Sequence, residues 1–82
     1  MYKNKNQDGT LNLCGKKISI LRKSLVPTVS QRALADMLQL AGMDLDKNAI
    51  QRIESGNRFV TDIELKAFSK VLHVSVDELL KV

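Results

Sequence analysis

From Gly15 onward the apolar residues recur with a helical period, and polar punctuation breaks the chain into short pieces. Ile18, Leu21 and Leu25 fall at i, i+3 and i+7, flanked by Lys16, Lys17, Arg22 and Lys23. Pro27 predicts the end of this helix, because proline disfavours helical geometry in the residue before it. Ser30 is a natural N-cap for a second helix with Leu34, Leu38 and Ala41 on one face and Ala35 and Met37 beside them. Gly42 can close it in the left-handed conformation. Asp46 predicts the start of a third helix carrying Ile50 and Ile53, and Gly56 its end. Thr61-Asp62-Ile63-Glu64 reads as a capping box opening a fourth helix with Leu65, Phe68, Val71 and Leu72. Ser75-Val76-Asp77-Glu78 reads as a second capping box, before a short last helix with Leu79 and Leu80. Strand-like alternation never exceeds three residues. The pattern predicts an all-α domain of five short helices whose stability comes from packing more than from propensity.

Residues 1–10 carry no apolar period, so a flexible N-terminal arm is expected over 1–12, with the folded domain over 13–82. The chain has 82 residues, 44% hydrophobic and 4% aromatic. That is one small domain with an aliphatic core and little room for a large enclosed active site. The single cysteine, Cys14, excludes an internal disulfide and a cysteine-based metal cluster; it is expected as a buried, inert thiol. No apolar run is long enough to span a bilayer, and no signal-peptide pattern opens the chain, so a cytoplasmic location is expected. His73 is the sole histidine. There is no nucleophile–histidine pair, no P-loop and no glycine-rich phosphate loop, so neither enzyme activity nor a cofactor nor a metal is expected. The charge is uneven: the net charge is +4, but residues 1–32 carry +6 and the remainder −2. A basic end suits polyanions, nucleic acid first and anionic membrane second; a solvated basic tail explains the charge equally well.

The third helix has two distinct sides. At about 100° per residue, Ile50 and Ile53 define the core side, while Asn48 and Arg52 point nearly opposite and Gln51 and Ser55 lie alongside them. Lys47 sits in the first turn. The outward set of Lys47, Asn48, Gln51, Arg52 and Ser55 contains no acid. Asn and Gln match adenine through paired hydrogen bonds, and Arg and Lys match guanine. The plain alternative is a solvated helix face. Glu54 falls at the edge of the core side, where an acid wants a partner; Arg22 on the first helix is the candidate, and the plain alternative is that both are exposed.

Together these motifs resemble the lambda-repressor-like, Cro/C1-type helix-turn-helix proteins (the XRE family). The resemblance rests on Ile18 to Lys23, Ser30-Gln31, Leu34-Ala35, Ile50 to Gly56, Arg58, Glu64-Leu65 and Val74 to Leu80, in order over roughly residues 14–80. It implies a compact five-helix lambda-repressor-like DNA-binding domain, with the helix-turn-helix over 30–55 and its recognition helix over 46–55. Gln31, with Arg32 beside it, would meet DNA phosphate at the start of the second helix, and in some members this position helps order the recognition helix. Lys47, Asn48 and Ala49 would lead the recognition helix toward bases, Arg52 would follow one turn on, and Asn57 and Arg58 would grip the backbone. Arg22 and Glu54 match the family's structural ion pair, and Ala35 its small residue where two helices cross. Some positions depart from the pattern. The stretch from Ala35 to Ile50 is longer than in compact members, which predicts a longer second helix and an enlarged turn. His73 stands where Gly is common, and Phe59-Val60 replaces a proline-containing loop. The resemblance implies a sequence-specific double-stranded DNA-binding repressor that occupies an operator. Val76, Leu79, Leu80 and Val82 then have two readings, a homodimer surface or closure of the core. The alternative function is an antitoxin or antagonist module that binds a protein with the same fold.

Overall fold

Each helix after the first begins where a short polar side chain takes up an otherwise unpaired backbone N–H. The computed structural model describes residues 9–81. Among them the helices are α1 (Gly15–Ser24), α2 (Gln31–Leu40), α3 (Lys47–Glu54), α4 (Asp62–Leu72) and α5 (Val76–Leu80), and no strand occurs. The Ser30 hydroxyl accepts from Ala33 N–H at 3.0 Å and Asp46 Oδ1 from Ala49 N–H at 2.7 Å. Thr61 and Glu64 form the full reciprocal box that opens α4. At α5 only half of the expected box forms. Ser75 accepts from Glu78 N–H, but the Glu78 carboxylate takes Lys17 Nζ at 3.0 Å and so ties α5 to α1. Helix α1 starts differently: Asn12 Oδ1 reaches forward and accepts from Gly15 N–H at 2.7 Å.

The helix ends follow the breakers. Past Ser24 the chain turns extended at Leu25, ahead of Pro27. Gly42, at φ 92°, closes α2. The turn to α3 occupies residues 41–46, longer than the three or four residues of a tight helix–turn–helix connection. The stretch between Ala35 and Ile50 is taken up by α2 as far as Leu40, by this turn and by the start of α3.

Ile18, Leu34, Leu38, Ile50, Ile53, Phe68, Leu72 and Leu79 form the core, and Cys14 joins them. The core is aliphatic apart from Phe68, as the composition implies. Helix α3 packs on α1 and α2, and α5 packs on α1 and α4. Leu79 is wholly buried in the single chain, which corrects its place in a homodimer surface: closing the core is what it does. Leu80 remains 38% exposed and Val76 half-buried; Val82 lies outside the described residues.

The expected arm divides likewise. Residues 1–8 lie outside the described residues, but Leu11 N–H donates to Gly56 O at 2.9 Å and Asn12 is hydrogen-bonded to three backbone groups. The last residues of that arm are therefore part of the fold, held by polar bonds that an apolar periodicity does not register. Among the described residues no helix is long and apolar enough to cross a membrane.

Candidate nucleic-acid interface

The physical requirement on α3 is a fixed back and a free front. Its back is fixed by burial: Ala49, Ile50 and Ile53 are buried. Glycine at position 15 lets α1 approach the end of α3 closely, because a Cβ there would lie 2.1 Å from Ile53 O. Asn12 Nδ2 donates to the same carbonyl at 3.1 Å and to Arg58 O at 2.8 Å. One amide side chain thus joins the start of α1, the end of α3 and the loop beyond it. The sequence reading missed Asn12; its signal was an Asn three residues ahead of a helical glycine, where an Asx oxygen can meet a free N–H.

The Arg22–Glu54 pair forms as the helical geometry requires. Arg22 Nε donates to Glu54 Oε2 at 2.8 Å and Arg22 Nη2 to Glu54 Oε1 at 3.0 Å. The side chains are 9% and 7% exposed, so water screens the pair little. Arg22 Nη1 also donates to Val29 O, so one guanidinium holds α3 and the chain entering α2. Gln31 Nε2 donates to Glu54 Oε1 at 3.0 Å. Burial pushes the Glu54 carboxyl up, but the hydrogen bonds from Arg22 and Gln31 and the Arg22 charge outweigh it and hold the group below the usual carboxylate range. The Glu54 hydrogen bond holds Arg22 more firmly protonated. Gln31 therefore sits half-buried at the start of α2 with its amide N–H on Glu54, where it holds α3, the second of its two expected roles.

The front of α3 is free. Lys47, Asn48, Gln51 and Arg52 are exposed, as is Arg32 near the start of α2. Among the described residues none of these five side chains takes part in an ion pair or in an intramolecular hydrogen bond. Their donors and acceptors face solvent with no acid between them along the helix. Ala49 corrects the expectation of a base-facing residue: it is 7% exposed and belongs to the core. With Ile50 and Ile53 equally buried, the core direction lies midway between them; Ala49 is then about 70° away and Gln51 about 130°.

The end of α3 and the loop beyond it are knitted internally. The Ser55 hydroxyl donates to Arg52 O and accepts from Asn57 Nδ2, both at 3.2 Å, so Ser55 and Asn57 stay exposed while they shape the turn. Arg58 departs further from the expected free phosphate grip. Its Nη1 and Nη2 donate to the two Glu64 carboxylate oxygens at 3.0 and 2.9 Å. Glu64 is buried, and the Arg58 hydrogen bonds hold its carboxyl low, against burial and with help from Thr61. Glu64 thus serves both the capping box and Arg58, and the box alone accounts for a Glu at this position.

Two smaller expectations concern reactive groups. Cys14 is buried, and burial pushes its thiol up to about 11, which keeps it neutral and unreactive near neutral pH. Among the described residues no group of three or more His, Cys, Asp or Glu side chains could hold a metal ion. The chain matches no protein-family model, no curated protein and no solved structure.

Proposed function

We propose that this domain binds double-stranded DNA sequence-specifically, as a lambda-repressor-like helix-turn-helix regulator that represses by occupying an operator. The observation that carries the reading is the face of α3. Lys47, Asn48, Gln51 and Arg52 are exposed, acid-free and unpartnered among the described residues, on a helix clamped from behind by burial and by Arg22–Glu54. A helix so mounted suits a major groove, where those residue types read base edges. Arg32 and the basic first third of the chain supply phosphate attraction, which makes affinity fall with salt. Ala49 contributes packing to this reading, Gln31 orients Glu54, and Arg58 braces the loop.

The test is selection of bound duplexes from a random DNA pool at near-physiological salt. Enrichment of a defined motif supports the reading; a palindrome with half-sites about one helical turn apart adds that the protein acts as a dimer. Absence of enrichment, with retention that disappears on adding salt, overturns it and favours the antitoxin or antagonist reading.

A further inference from the structure

Away from α3, an apolar groove runs between the C-terminal half of α2 and the outer side of α4. It has two adjoining lobes of about 240 and 450 Å³ that share Ala41 and Lys70. Leu40 stands on one wall, 90% exposed, and Ile63 on the other, 68% exposed. Met37 and Val71, both half-buried, line the larger lobe together with Leu40. Scattered single apolar residues on a surface are ordinary, but here they line one continuous depression, which marks an interaction site. The enlarged turn after α2 builds one end of it with Gly42 and Met43.

The charge at the rim selects the occupant. Lys66 and Lys70 lie one helical turn apart on α4, are exposed and form no ion pair among the described residues. No carboxylate lines either lobe. A second copy of the chain fits poorly, because a two-fold contact brings this same patch against itself, and its lining offers the two lysines no carboxylate. Residues 1–8 also fit poorly, with Lys3 and Lys5 against the single acid Asp8. The complementary ligand is an apolar ridge flanked by acids, and a helix supplies that with anchors at i, i+3 or i+4 and i+7.

We propose that the groove between α2 and α4 docks an acidic amphipathic helix of a partner protein, with apolar side chains over Leu40, Ile63 and Val71 and carboxylates on Lys66 and Lys70. No residue of α3 lines the groove, so the docked helix and the proposed DNA contact do not use the same side chains. The proposal does not depend on α3 binding DNA.

The test uses the full chain to select from a phage-displayed library of helical peptides of about 14 residues, near the length at which isolated helices hold. Enriched peptides should combine Leu, Ile or Phe at i, i+3 or i+4 and i+7 with Asp or Glu on the flanks. By fluorescence anisotropy, Leu40→Ser and the double change Lys66→Glu/Lys70→Glu should each weaken the best peptide at least about tenfold. All three positions are exposed, so melting should stay unchanged. Replacing the peptide's acids by lysine should restore binding to the Lys66→Glu/Lys70→Glu protein. No enrichment, enrichment of basic or non-amphipathic peptides, or binding indifferent to these substitutions overturns the proposal. So does a concentration-dependent dimer that Leu40→Ser abolishes, which assigns the groove to a second copy.

Discussion

Removing the Glu54 carboxylate should cost this domain a large share of its stability. In Glu54→Ala, Arg22 keeps its charge at 9% side-chain exposure and loses both bonds from Nε and Nη2, while Gln31 loses its acceptor. Breaking one side of a buried pair costs about 3–5 kcal/mol, since the partner is left buried and uncompensated. Domains hold roughly 0.05–0.15 kcal/mol per residue, which is about 4–12 kcal/mol for a chain of this length. At about 4–8 °C per kcal/mol for a small domain, the melting temperature should fall by at least about 12 °C. Circular dichroism melts and urea titrations measure this directly. A companion variant, Arg22→Met with Glu54→Leu, replaces both charges with apolar volume and should recover most of the loss. The pH dependence carries the same signature. The folded Glu54 carboxyl titrates below its unfolded value, so its contribution is complete above the unfolded value and disappears as pH falls through the folded one. Wild type should therefore lose stability on acidification below about pH 4.5 more steeply than Glu54→Ala. A loss under about 1 kcal/mol in Glu54→Ala, the range of a solvent-exposed pair, refutes the argument.

Four further outcomes follow from the geometry. Arg52→Ala should leave melting unchanged yet cost about 1–3 kcal/mol on the selected site and relax the choice of base there. Arg58→Ala should instead destabilise the fold by about 1–3 kcal/mol by stranding Glu64, so equal melting of the two variants contradicts the division of roles. Gly15→Ala places a Cβ 2.1 Å from Ile53 O. Its cost should reach or exceed the roughly 1–3 kcal/mol usual for overpacking, and a wild-type urea midpoint refutes the close approach. His73 ends α4 at φ 58°, where a side chain is strained. His73→Gly should raise stability by several tenths of a kcal/mol up to about 1, and an unchanged or lower melting temperature refutes that.

The elements of this fold were legible because their start and stop signals are local. Ser30, Asp46, Thr61 and Ser75 cap helices that follow within three residues, and Gly42 and Gly56 turn where a left-handed residue is needed. The Arg22–Glu54 pair was legible for another reason: an acid on the edge of an apolar face must find a cation. What stayed hidden depends on distance along the chain. Asn12 reaches backbone carbonyls 41 and 46 positions away, and nothing in its neighbourhood announces them. Leu79 looked as suited to a partner as to the core until α1 and α4 closed around it. Ala49 faces inward because the centre of burial lies between Ile50 and Ile53, a direction that a family position does not encode. The place of Arg58 is not legible in its neighbourhood, because a basic residue in a loop suggests phosphate, whereas here it pairs with the Glu64 carboxylate.

The anchoring of α1 also constrains how the chain can be made. Three of its anchors, Ile53 O, the Glu54 carboxylate and Arg58 O, lie within residues 53–58, and a fourth, Glu78, comes later still. During synthesis, Arg22 emerges 32 residues before the carboxylate that neutralises it. Until Glu54 has been added α1 lacks its buried ion pair, and until Arg58 has been added it lacks the full set of Asn12 bonds. The domain thus has no autonomous first half, and a nascent or truncated chain ending before that point presents an unsatisfied, cationic amphipathic helix to chaperones and proteases.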